Sequence, residues 1–537
     1  MINKNFIFSS DKIIKIVLLR PPRHYWPILN ESDNFLLPLA YPTLSSYLKK
    51  YRKDVEIIIH DCCSNRTGWQ KLKKKLIEWQ PDILGIGEKT PFAHEAFKAF
   101  NLCKQSNPNI ITIAGGQHFS FDAEKTLKEN NDIDFIIRFE GEIPFLELIK
   151  SLKGEVSIEK VPNLVYRDYN NNSKIVENKS IALINDLSSL PIPDYENSSL
   201  HLYSPFGLLW PKAATIQSSR GCIDNCHFCC WVALESSHSY TENGEIVRTP
   251  TYRHKTAEQI IHEIEILYEK FNIRYLFWVD GTWNAKSDLC NTVCEEIIRR
   301  KYKLGWWAFV RKDLLIQQHK EGVLKNMVKA GLRHVLCGGE RPYITDINSL
   351  GKHNYNYQIA KDAMSILKKH HPEVFRQCTF ITGLPDDNAE KIKAILSFAH
   401  DIDVDFAAFH VLTPYLGTTL RQNILKDIEQ GKLNFEIESD YSKYDMFCPV
   451  MPTKYLTKNE VAYWTHWCQK NFVFKKPHRY FFRLFSPHTI RRKLHWWFLF
   501  SISRVFAKQI TMHLQGQETF EGFAGINKLW RPSWYDE

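Results

Sequence analysis

Short apolar runs alternate with amphipathic stretches through the first 150 residues. Ile13–Leu19, Val55–Asp61, Ile83–Gly87, Ile110–Ala114 and Asp134–Ile137 have the length and composition of buried strands. Trp69–Trp79 and Ala93–Gln105 between them carry helical spacing. Strands alternating with helices in this way predict a doubly wound parallel sheet of the Rossmann or flavodoxin type. The expected loops after the strands hold Pro21-Pro22, Asp61, Glu88 to Thr90, Gly115-Gly116 and Glu140-Gly141-Glu142. They share the carboxyl edge, where such sheets bind ligands, so that edge is expected to hold a cofactor.

From 151 to 212 the periodicity weakens into a linker with a β-hairpin, its tip at Asn170-Asn171-Asn172 and an extended stretch at Leu190-Pro191-Ile192-Pro193-Asp194. The alternation then resumes, with strands near Ala214–Ser218, Arg274–Val279, Trp306–Arg311, His334–Gly338, Gln377–Ile381 and Phe406–Leu412. Ile260, Ile261, Ile264, Leu267 and Tyr268 form one apolar helical face between the first two. Six βα units over 213–420 predict a partial (β/α)6 TIM-like barrel, with chemistry on the loops at the carboxyl ends of its strands. Residues 421–537 read as a helical region rich in basic and aromatic side chains.

The chain has 537 residues, 44% of them apolar and 24% charged, which suits a multidomain globular protein. Its net charge of +10 is compatible with an anionic cofactor, nucleic acid or a membrane surface and selects none of them. Thirteen cysteines without an apolar leader at Met1 to Lys15 argue against a secreted disulfide framework and for a cytoplasmic location. The apolar run Trp496 to Phe500 is far shorter than the roughly 20 residues that span a bilayer.

One cluster of cysteines points to specific chemistry. Gly221-Cys222-Ile223-Asp224-Asn225-Cys226-His227-Phe228-Cys229 spaces its cysteines C-x3-C-x2-C directly after the first barrel strand. Three thiolates on one tight loop hold three irons of a [4Fe-4S] cube and leave the fourth iron open. A zinc site would need a fourth ligand, and His227 and Cys230 are too close in sequence to complete a tetrahedron easily. The other ten cysteines, Cys290, Cys294, Cys337 and Cys378 among them, read as small buried hydrophobes.

With this motif, the chain resembles the radical S-adenosylmethionine (SAM) superfamily, in the branch with an N-terminal cobalamin-binding domain, over roughly residues 10 to 450. The resemblance implies that the amino and carboxylate groups of SAM chelate the open iron of a cluster held by Cys222, Cys226 and Cys229, and that SAM is cleaved reductively to a 5'-deoxyadenosyl radical. Phe228 resembles the residue near the adenine, and Asp280 the acidic group near the SAM amine. Arg311 with Asp313, Gly338-Gly339-Glu340, Gly383-Leu384-Pro385 and Pro414 to Thr418 match the family's turns after successive strands. Taken singly, a strand-end Asp is more often a helix cap and a Gly pair a turn; their order after the cysteines is what points to SAM.

Pro81 to Gly87, Gly115-Gly116-Gln117-His118 and Glu140-Gly141-Glu142 resemble the cobalamin module, whose glycines admit a corrin or its nucleotide tail. Gly115, Gly116, His118, Gly141 and Glu142 are the candidate contacts. His118 is either a cobalt ligand or a cap of the next helix. The D-x-H-x-x-G signature is missing, since Asp61 is followed by Cys62-Cys63-Ser64.

By resemblance, the expected activity is cobalamin-dependent methylation of an unactivated carbon in a small-molecule or lipid-like substrate, with electrons from a flavodoxin or ferredoxin. A second expectation is anaerobic oxidative cyclisation of magnesium-porphyrin esters, which Tyr444-Asp445 and Pro449-Val450-Met451 resemble and Cys230-Trp231-Val232-Ala233 does not. A non-catalytic iron-sulfur or cobalamin sensor is the third. Between Val461 and Gln517 there is no Asp or Glu, while Lys475, Lys476, Arg479, Arg483, Arg491, Arg492, Lys493, Arg504 and Lys508 interleave with Phe481, Phe482, Phe485, Trp496, Trp497 and Phe498. That tail fits a helical face packed on the barrel or, over 474–508, a peripheral contact at the inner face of the membrane; nucleic acid is the weakest fit.

Overall fold

The computed structural model describes residues 7–23, 36–169, 171, 173–203, 212–352, 355–514 and 532–537, without the side chains of 479, 480, 501, 502, 504–506, 508, 509, 512 and 513. Asn170 and Asn172 of the expected hairpin tip, and the side chains of Arg479, Arg504 and Lys508, lie outside the described residues.

The N-terminal sheet contains β1 (Ile14–Arg20), β2 (Val55–Asp61), β3 (Ile83–Gly87), β4 (Ile111–Gly115), β5 (Phe135–Ile137), β6 (Leu164–Asp168) and β7 (Lys174–Glu177). Its order is β2-β1-β3-β4-β5-β6-β7, parallel through β5 and antiparallel at the β6–β7 hairpin. The stretch expected as a linker therefore begins as the edge of this sheet. Successive β1 side chains serve opposite cores. Ile14, Ile16 and Leu18 pack with Tyr41, Leu48 and Ile149 on one face, and Val17 and Leu19 with Leu72, Leu76 and Phe100 on the other. Residues 532–537 return to this domain: Tyr535 is buried in the second core, and Trp69 N–H donates to its carbonyl at 3.0 Å.

The second sheet is β17-β16-β15-β14-β13-β8, six parallel strands, as the spacing predicted. These are β8 (Ala213–Ile216), β13 (Tyr275–Trp278), β14 (Gly305–Phe309), β15 (Leu332–Glu340), β16 (Phe375–Thr382) and β17 (Phe406–Val411). Four short strands decorate the first βα connection: β9 (Ser219–Gly221) pairs with β12 (Tyr252–His254), and β10 (Ser237–Tyr240) with β11 (Ile246–Thr249), both antiparallel. Leu276, Trp278, Trp306, Val335 and Cys337 face the surrounding helices. Tyr275, Phe277, Trp307, Phe375 and Phe406 point the other way, against Leu494 and Phe498 of the helix Thr489–Leu514. A Cβ on Gly305 would lie 2.8 Å from Ile490 of that helix, which shows how closely it is seated. Arg376, Arg483 and Arg491 converge on the buried Asp405, immediately before β17. Part of the basic tail is thus a structural element of the barrel's amino-terminal end.

Candidate active site

The cysteine loop follows β9, and its path is set by glycines. Gly221 has φ +79°, and a Cβ there would lie 1.9 Å from the Thr251 carbonyl. Gly281, after β13, passes so close that its Cβ would be 2.9 Å from the Gly221 carbonyl. Backbone bonds then staple the loop down: Cys222 N–H to Thr251 O, His227 N–H to Leu350 O, and Leu420 N–H to His227 O. The His227 ring lies against Gly351, with Nδ1 3.2 Å from Ser349 O, so this histidine anchors the loop. Asp224 N–H points at Cys222 Sγ (3.4 Å), and Thr282 Oγ1 lies 3.3 Å from the same sulfur.

Cys229 is within electrostatic reach of both Cys222 and Cys226. Among the described residues no three His, Cys, Asp or Glu side chains converge on one point as a single ion requires. Three thiols on one loop are the donor set that a [4Fe-4S] cube takes from a protein, each thiolate on a different iron. Burial raises the Cys226 thiol, opposed by nearby Lys352, and raises Cys229 to about 12. Both are held as neutral thiols until a metal takes the proton's place.

Side chains from successive strand ends surround this loop. Asp280 is fully buried and accepts from Ser218 N–H, Ser218 Oγ (2.7 Å) and Ser219 Oγ (2.5 Å). It fixes the turn into β9, where the family resemblance implied a SAM amine contact. Arg311 reaches Asp224 of the cysteine loop at 2.5 Å while pairing with Asp313 at 2.6 Å. Glu340, left-handed at φ +55°, bonds Lys352 Nζ at 2.5 Å; Lys352 in turn lies 5.9 Å from the centre of the Phe228 ring. Gly383, at φ +79°, donates to Asp387 and packs on Val461 of the helix Lys458–Phe474, so it turns the chain against a distant helix. Lys312 Nζ, His410 Nδ1 and Asp445 Oδ2 are buried at these strand ends without a hydrogen-bond partner. Such groups suit a polar cofactor or substrate.

The N-terminal domain meets this loop along its carboxyl edge. Glu142 accepts from Arg220 at 2.5 Å, and Glu140 pairs with Arg220 at 3.2 Å and Arg253 at 2.8 Å. The motif Glu140-Gly141-Glu142, expected at a corrin, clamps the arginine two residues before Cys222. Gly141 packs on Leu44, with 3.2 Å to a built Cβ. Gly116 is left-handed (φ +86°) because Glu88 backbone crosses it, with 2.7 Å to a built Cβ, and Gly115 faces the Ile137 carbonyl at 3.4 Å. These glycines are required by the chain itself. His118 lies within the helix Gly116–Phe121 and caps nothing; its ring is enclosed by Phe97, Phe119 and Tyr441, with neither nitrogen bonded. Beside it Glu88 Oε1 and Gln117 Nε2 are also buried and unbonded. These orphaned polar atoms on the edge fit a large cofactor with amide side chains.

The B12 binding domain family model matches residues 25–149, and the radical SAM superfamily model residues 216–399. The chain is a radical SAM enzyme with a B12-binding domain. It is 27% identical over 455 residues to a Pyrococcus horikoshii protein named as an uncharacterized methyltransferase, covering 84% of this chain and 90% of that one. It is 27% identical over 412 residues to the anaerobic magnesium-protoporphyrin IX monomethyl ester cyclase of Cereibacter sphaeroides, covering 75% and 61%. Among solved structures, the cobalamin-dependent SAM radical enzyme OxsB with aqua-cobalamin bound superposes with TM-score 0.67 at 19% identity, covering 94% of this chain and 73% of that one. The methyltransferase TsrM from Kitasatospora setae gives 0.59 at 14%, covering 78% and 75%. These two likenesses are of fold.

Sequence reasoning missed several residues of this radical SAM site. Arg220, Arg253, Lys352 and Thr282 act through partners far away in the chain, as Arg220 and Glu142 are 78 positions apart. The one local signal was the run Arg220-Gly221-Cys222, a charge directly before the motif.

Proposed function

We propose that the chain is a cobalamin-dependent C-methyltransferase that acts on an unactivated carbon of a small-molecule or lipid-like substrate. The observation that carries the reading is the meeting of the two edges, with Lys89 of the B12-binding domain 5.9 Å above the Trp231 ring and Glu142 clamped on Arg220. When bound, the cluster and SAM would supply a hydrogen-abstracting carbon radical, and cobalamin a methyl group. Cys222, Cys226 and Cys229 would hold the cluster, Arg311 and Asp280 keep their loop in place, and Glu340 with Lys352 border the SAM side. The edge with Glu88, Gln117 and His118 would take the corrin. A flavodoxin or ferredoxin is the proposed electron donor.

Likeness to the ester cyclase supports a second reading, oxidative cyclisation without methyl transfer. Anaerobic reconstitution with iron and sulfide, reduction and chromatography distinguishes the readings. Methyl transfer with SAM as both radical source and methyl donor yields S-adenosylhomocysteine alongside 5'-deoxyadenosine in the presence of substrate; a cyclase yields 5'-deoxyadenosine alone. Intact SAM over a loaded cluster would leave only a sensor. Visible absorbance in the same sample scores cobalamin.

A further inference from the structure

The helix Thr489–Leu514 is apolar on two sides. One side, with Ile490, Leu494 and Phe498, is spent on the barrel. The other carries Trp496, Phe500, Ala507, Ile510 and Leu514, all exposed and spaced by three, four or seven residues along one face. The preceding helix, Pro477–Arg483, and the turn after it add Phe481, Phe482 and Phe485. Phe482, Phe485 and Phe500 keep 72%, 66% and 62% of their surface in solvent. Exposed aromatic side chains gathered in this number on adjacent helices are costly in water and mark a surface that meets something.

The charge around it selects the partner. Residues 461–517 contain ten Lys and Arg and no Asp or Glu. Arg483 and Arg491 are committed to Asp405, which roots the segment on the barrel's amino-terminal end. Lys475 is exposed, and Arg492 and Lys493 are part-exposed; none of the three has an acidic partner in an ion pair among the described residues. No described helix is long and apolar enough to cross a membrane. Aromatic side chains that enter an interface, with lysine and arginine left at its level, match an anionic lipid surface.

We propose that the face formed by Phe481, Phe482, Phe485, Trp496 and Phe500 docks the enzyme onto an anionic bilayer surface. The docked face lies at the end of the barrel opposite the cysteine loop, so the active site would open away from the lipid. The proposal is independent of which radical reaction the site performs.

Flotation of the full chain with vesicles tests it. Co-flotation is expected with phosphatidylglycerol and phosphatidylethanolamine vesicles, about tenfold weaker with phosphatidylcholine alone, and weakened by salt. The triple variant Phe482→Ser, Phe485→Ser, Phe500→Ser should lose flotation while keeping its circular dichroism and iron content, because these side chains lie mostly in solvent and outside the buried cores. Should that variant misfold, Lys475→Glu with Lys493→Glu serves instead and should abolish the preference for phosphatidylglycerol. A wild-type chain that stays at the bottom of the gradient with phosphatidylglycerol overturns the proposal. So does a folded triple variant that floats like wild type, or a face that proves to mediate self-association or RNA capture without vesicle binding.

Discussion

Arg220, two residues before Cys222, donates to Glu142 at 2.5 Å across the boundary between the two sheets. Both side chains are largely buried, and Glu140 and Arg253 complete the group. The loop that carries the cysteines is therefore held from the B12-binding domain as well as from its own barrel. Lys89 over Trp231 and the Phe139 ring stacked on His238 at 3.8 Å extend the same junction.

Arg220→Met should leave Glu142 buried without its counter-charge and Glu140 with only Arg253. Breaking a buried pair from one side costs roughly 3–5 kcal/mol, most of it the penalty on the charge left behind. The expected result is a lower melting temperature and fewer irons per chain after reconstitution, with no change in any residue that touches iron. Unchanged iron content and melting would show that the clamp is idle.

Glycine substitutions separate conformational need from space. Gly221→Ala meets both a positive φ and the Thr251 carbonyl, so the loop must move and iron incorporation should be lost. Gly154, also left-handed at φ +73° but with nothing within 4 Å of a built Cβ, should tolerate alanine at about 1 kcal/mol and full iron content. Iron and sulfide per chain for the two variants check this contrast.

The strands were legible because their apolar runs follow from burial on both faces, and β2 and β3 coincide with the expected limits. The cysteine loop was legible because spacing alone specifies it. The protein partners of Asp280 and Glu142 were not legible for a common reason: a carboxylate at a strand end looks the same in sequence whichever distant serine or arginine it bonds. The polar strands β10 and β11 escaped notice because alternation is weak in Ser-His-Ser-Tyr. In the tail, charge and aromatic content were visible, but the inward face on Phe375 and Phe406 depends on contacts roughly ninety or more positions away.

Asp405 holds Arg376, Arg483 and Arg491 together, and their positive charge keeps its carboxyl well below the usual range in spite of burial. Asp405→Asn would leave three guanidinium groups around a neutral amide. We expect a loss of at least about 3 kcal/mol. The C-terminal helix should loosen first, seen as faster amide exchange over 489–500 while the B12-binding domain stays protected. Uniform exchange rates across both would argue that Asp405 does not anchor the tail.

His118 gives the chain a defined sensitivity to acid. Burial, with Lys125 nearby as a second cause, holds its ring neutral down to about pH 3 against an ordinary value of 6.5. Below 6.5 the unfolded chain takes up a proton that the folded ring refuses, so stability is complete above that pH and falls as the pH is lowered toward 3. One such group removes about 2 kcal/mol between pH 8 and pH 5. His238, His334 and His410 are buried in the same sense, so the whole chain should lose more than this. Phenylalanine suits the ring of Phe97, Phe119 and Tyr441 around position 118. His118→Phe should therefore flatten the denaturation midpoint between pH 8 and pH 5 by one proton's worth, whatever its effect at pH 8. A pH profile parallel to wild type would mean that the ring takes up its proton in the folded state.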